Sequence, residues 1–159
     1  MKIKKYLILA ILLLCCIKLP TFASEVIEDE QHDTIVEKVF EDNSYVESYI
    51  METEKGIQTR SSKKSGDKVY VAKSSSGKTI WTATLHGDFT YTGTSAKCTS
   101  TSLSTSVLNK NWKITKKNHY ASGASAIGII TAKKYVDNSA IKTMNITLKL
   151  TCSSNGKLK

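Results

Sequence analysis

Proline occurs once in the 159 residues, at Pro20, and arginine once, at Arg60. With lysine dominating over that single arginine, the array of planar, bidentate forks that usually grips nucleic-acid phosphates and base edges is missing, so no nucleic-acid partner is expected. Histidine is also scarce. Beyond residue 55 a hydrolytic triad would have to be built on His86 or His119. His86 stands in an alternating strand with parity opposite to Trp81 and Leu85, which places it toward solvent. His86-Gly87-Asp88 offers two metal ligands where zinc needs three or four. Carboxylates are few in the same stretch: Asp67, Asp88 and Asp137 fall in or beside different turns and strands, too scattered for paired-carboxylate chemistry. No phosphate-cradling glycine loop is present. The chain therefore reads as non-enzymatic, with no cofactor and no metal.

The N-terminus is informative. Met1-Lys2-Ile3-Lys4-Lys5 is cationic, Tyr6 to Ile17 is apolar, and Pro20 precedes Thr21-Phe22-Ala23, small at the positions a signal peptidase reads. Residues 1–23 are expected to be a signal peptide cut between Ala23 and Ser24, giving a secreted protein. The apolar run is interrupted by Lys18 and is shorter than the roughly 20 residues of a spanning helix, so no membrane span is expected after cleavage. About 136 residues remain, the size of one domain. Two of the four cysteines leave with the signal. Cys98 and Cys152 are then the only possible pair, and in an exported chain a disulfide between them is expected. On the chain-entropy model such a bridge contributes roughly 4 kcal/mol.

Charge is strongly segregated. Residues 24–55 hold eleven of the fourteen acids against Lys38 and Lys55, a net −9. Residues 56–159 hold seventeen Lys and Arg against three Asp, a net +14. In the acidic part, Ile35, Val36, Val39, Phe40 and then Tyr45, Val46, Tyr49, Ile50 repeat at intervals of four, which predicts a helix, or a disordered stretch until its apolar stripe is covered. The small, polar and basic run from Gly56 to Asp67 reads as an exposed linker open to trypsin-like cleavage at Arg60 and Lys63-Lys64. The expected layout is signal peptide 1–23, acidic segment or pro-region 24–55, linker 56–67 and basic domain 68–159.

From Lys68 onward the apolar period becomes two. Trp81, Ala83, Leu85, Phe89 and Tyr91 share one face of a strand, and Met144, Ile146, Leu148, Leu150 and Cys152 one face of another. Between them a parity change near Ser100 to Ser102 predicts a bulge, and the region from Lys116 to His119 breaks the pattern. Six or seven such strands without a helix predict an all-β, two-sheet sandwich. Cys98, Trp112 and Cys152 follow one another in a way that resembles the cysteine, tryptophan, cysteine order of an immunoglobulin-like sandwich, which implies architecture and no function.

Lys110, Lys113, Lys116, Lys117, Lys133 and Lys134 gather around the middle turns and form a candidate anion-binding patch. For an exported protein the matching partners are an anionic cell-wall polymer, a lipid headgroup or an acidic host surface. Tyr91 to Ser100, Trp112 to Ile114, Ser122 to Ala126 and Leu148 to Gly156 resemble a family of small secreted β-sheet proteins of Gram-positive bacteria, over roughly residues 68–158. That family has no assigned activity, so the resemblance implies export and a β domain and adds no function. Two functions compete on these residues. One is a secreted binding or surface-interaction protein. The other is a secreted pro-toxin or antimicrobial protein whose acidic 24–55 segment screens the basic domain until cleavage.

Overall fold

The computed structural model describes residues 33–54 and 62–159. The expected signal peptide, with Ala23 and Ser24, the start of the acidic segment and the first half of the expected linker lie outside the described residues. The described residues form eight strands: β1 (Ile35–Val39), β2 (Tyr45–Glu54), β3 (Ser62–Lys73), β4 (Thr79–Tyr91), β5 (Ala96–Val107), β6 (Trp112–Ser122), β7 (Ser125–Val136) and β8 (Ser139–Thr151). They make a five-stranded sheet in the order β1-β2-β3-β4-β5 and a three-stranded sheet in the order β6-β7-β8, antiparallel throughout. An all-β chain of two antiparallel sheets is what the period-two alternation predicts. Among the described residues no helix is long and apolar enough to cross a membrane.

The helix expected around residues 35–50 is instead the β1–β2 hairpin. A spacing of four is common to both periods, because it is close to one helical turn and is also two strand repeats. Non-local pairing decides between them. Val46 and Ile50 point inward while Tyr45 and Tyr49 point outward, and β2 pairs with β3 in register from Tyr45↔Lys73 to Glu54↔Lys64. The turn is made by Asn43 in the left-handed region (φ 58°), where asparagine is tolerated, and by Asp42, which accepts bonds from the Ser44 amide and hydroxyl.

Residues 62–67 of the expected linker are the first half of β3. Ser65 is buried, and Gly66 leaves room for the Leu158 side chain, which a Cβ there would strike. Small residues here serve close packing as well as exposure.

Between the sheets lie Trp81, Leu85 and Phe89 from β4 and Ile130, Met144, Leu148 and Leu150 from β7 and β8, all essentially fully buried. Gly87 falls on this inner face opposite Gly66, and a Cβ on it would sit 2.5 Å from the Phe89 ring. The expected bulge in β5 is present at Thr99, where the register shifts between Asp88 and Phe89. A second, at Thr115, lets β6 continue through the stretch that breaks the sequence pattern. On the β5–β6 side backbone bonds hold the connecting turn to β4 at one end and cross between the sheets at the other. The Leu108 and Asn109 amides donate to the Ile80 carbonyl, and the Cys98 amide donates to the Gly123 carbonyl. On the β8 side, the Tyr70 hydroxyl donates to the Lys149 carbonyl (3.2 Å) and accepts from the Lys149 amide (2.9 Å). That caps part of an otherwise open strand edge.

Connectivity departs from the immunoglobulin resemblance. Each strand is hydrogen-bonded to its neighbour in sequence except at β5–β6, where the chain changes sheet. This is a meander, whereas the immunoglobulin sandwich is a Greek key. The two cysteines whose spacing suggested it are both buried and not bonded to each other.

Candidate binding face

Strand alternation determines which lysines meet. On the outer face of the three-stranded sheet, Lys113 of β6 lies directly opposite Lys133 of β7, and Lys116 follows opposite Thr131. The Lys113 ammonium also sits 5.3 Å from the centre of the Tyr135 ring, an attractive cation–π contact. Lys110 occupies the adjoining β5–β6 turn. Lys134 has the other parity, between Trp112 and Lys142 in register. Lys117 lies opposite the fully buried Ile130 yet is itself exposed, an inward-directed charge of the kind that protects a sheet edge. The six expected lysines thus share one region. Three of them, Lys113, Lys116 and Lys133, share one face.

Four lysines elsewhere have carboxylate partners. Glu37 pairs with Lys68 at 2.8 Å, Glu52 with Lys64 at 2.6 Å, Asp42 with Lys142 at 2.5 Å, and Glu47 with Lys73. Burial alone would raise the Glu37 pKa, but the Lys68 and Ser48 hydrogen bonds outweigh it and the pKa is lowered. The Lys142 hydrogen bond, with Ser44 behind it, takes Asp42 down to about 2. The acids of β1, β2 and their turn therefore neutralise lysines of β3 and β8. None of these ion pairs includes Lys110, Lys113, Lys116, Lys117, Lys133 or Lys134.

A second polar cluster lies on the outer face of the five-stranded sheet. Asp67 is opposite His86 in register and Ser65 is opposite Asp88. Asp67 Oδ1 is 2.7 Å from His86 Nδ1, Asp88 Oδ1 is 3.5 Å from His86 Nε2, and the Ser65 hydroxyl donates to Asp88 Oδ1. His86 does face outward as its parity predicts, but it is held between two carboxylates. Sequence reasoning missed this because it assigned Asp67 to a linker, and only the β3–β4 register brings the residues together. Ser65 is bonded to Asp88 and not to the imidazole, so the cluster lacks the nucleophile–base contact of a serine hydrolase. Its geometry pins β3 to β4. Among the described residues no group of three or more His, Cys, Asp or Glu is arranged to hold a metal ion.

Cys98 and Cys152 flank the β6–β7 turn. Their amides donate to the consecutive carbonyls of Gly123 and Ala124, at 2.8 and 2.9 Å. Burial raises both thiol pKa values, so each is a poor nucleophile as it stands.

The chain matches no family model, no curated protein and no solved structure.

Proposed function

We propose that this is a secreted, non-enzymatic binding protein whose lysine-bearing β6–β7 region engages an anionic surface: a cell-wall polymer, a lipid headgroup layer or an acidic host surface. The reading rests on one observation above all. Like charges directly opposite one another on a sheet are destabilising, and here two successive cross-strand positions carry them, Lys113↔Lys133 and Lys134↔Lys142. The second pair is relieved by Asp42. The first is relieved by no carboxylate in the ion pairs above, and a cost carried on an exposed face is explained by a ligand that supplies the missing negative charge. Lysines act as point charges, which suits recognition of diffuse negative charge rather than of a planar, bidentate group.

Inorganic polyphosphate labelled with a fluorophore serves as the probe. Anisotropy titrations at near-physiological salt are expected to show binding that weakens as salt rises, and the K113E/K133E variant is expected to bind much more weakly. No binding by the unaltered protein, or equal binding by the variant, would sink the proposal.

Export and the disulfide belong to the same reading. In an oxidising compartment the two thiols flanking the β6–β7 turn would close a bridge from the five-stranded sheet to the segment after β8, each giving up one proton and one electron to an external thiol–disulfide oxidant.

A further inference from the structure

Meander connectivity places four turns at one end of the molecule: residues 40–44, 74–78, 108–111 and 137–138. Exposed apolar side chains collect there. Leu108 is 62% exposed, Ile141 57% and Val136 44%, and the exposed Val39 and Val107 end β1 and β5 at the same end. These side chains are held out by rigid turns. The Leu108 and Asn109 amides are bonded to the Ile80 carbonyl, and the Tyr135 amide is bonded to the Asn111 carbonyl at 2.7 Å, which joins the β5–β6 turn to the end of β7. Asp137 and Asn138 both take left-handed conformations (φ 48° and 63°), the signature of a tight two-residue hairpin turn, and so fix Val136 at the tip. A cleft of about 510 Å³ between the β1–β2 turn and the start of β8 is lined by Val39, Phe40 and Ile141 together with charged side chains, among them Lys38, Glu41 and Lys142.

Around these tips stand Lys110, Lys113, Lys133 and Lys134. The carboxylates at this end are Glu41, Asp42, Glu47 and Asp137, of which Asp42 is taken by Lys142 and Glu47 by Lys73. A soluble polyanion would satisfy the lysines but leave Leu108, Val136 and Ile141 in water. An anionic bilayer satisfies both sets, because its phosphates lie just outside an apolar boundary. We propose that this end of the sandwich docks on anionic lipid bilayers, with Leu108, Val136 and Ile141 entering the headgroup boundary and Lys110, Lys113 and Lys133 on the lipid phosphates. The inference rests on the anion-binding reading above and narrows it to one partner.

The test is co-sedimentation of the exported chain with vesicles of phosphatidylcholine alone or mixed with phosphatidylglycerol, beside the polyphosphate titration. The chain is started at Ser24 so that the apolar Tyr6–Ile17 run does not itself enter the bilayer. Binding is expected only to the phosphatidylglycerol vesicles. The L108S/V136S variant changes two exposed positions, and circular dichroism verifies that it is folded. It is expected to lose roughly tenfold or more in vesicle affinity with polyphosphate binding unchanged. K113E/K133E is expected to weaken both, by about fivefold or more per lysine. Polyphosphate binding without vesicle binding, or an L108S/V136S variant that sediments like the parent, would overturn the bilayer inference and leave the anion-binding reading standing. Binding to neither probe would overturn both.

Discussion

Truncating Val46 tests whether the acidic hairpin is part of the folded core or a detachable cover. Val46 is fully buried in β2, opposite Ala72 of β3 and Lys38 of β1. Val46→Ala removes two carbons, about 1.6 kcal/mol of transfer free energy at about 0.8 kcal/mol each. The cavity left behind raises the total to roughly 2–3 kcal/mol. Val39→Ala, in the same hairpin but 62% exposed, is the control and is expected to cost less than about 0.5 kcal/mol. Urea unfolding followed by tryptophan fluorescence reads the difference, because Trp81 and Trp112 lie in the core that both sheets share. The midpoint is expected to fall for V46A with an unchanged slope, and the melting temperature to fall by roughly 6–10 °C. A V46A midpoint equal to that of V39A would refute the reasoning, since β2 would then lie outside the cooperative unit.

Two further expectations concern titratable groups. Asp42 has its pKa lowered to about 2 by Lys142 and Ser44, so its contribution to stability is present above the unfolded carboxylate range and is lost as pH falls through about 4 toward 2. The pair is solvent-exposed on the Asp42 side, which holds that contribution below about 1 kcal/mol; in acid titrations D42N is expected to be slightly less stable than the parent at neutral pH and equal to it near pH 2, and a constant gap across that range would disprove the assignment. For the cysteines, the proposed disulfide makes the intact mass of protein produced in an oxidising compartment rise by two hydrogens on reduction, and reduction is expected to lower stability by up to about 4 kcal/mol. Equal masses would refute the disulfide.

Side-chain parity could be read along the chain because it is local: in a strand each residue's face follows from its neighbours'. That is why the alternation of Trp81 to Tyr91 and Met144 to Cys152 places the core correctly and why His86 faces outward. The charge segregation between residues 24–55 and the rest is equally legible along the chain, since it needs only a count of ionisable residues. Register and sheet partnership are non-local, and only tertiary structure decided them. Tyr45, Val46, Tyr49 and Ile50 suit a helix or a strand equally until β3 supplies a ten-residue hydrogen-bonding partner. Asp67 and His86 stand nineteen residues apart and become a bonded pair only through the β3–β4 register. Lys113 and Lys133 face each other for the same reason in β6 and β7. The apolar tips at Leu108, Val136 and Ile141 share one end because eight strands run as a meander, a property of the connected sheets and of no single segment.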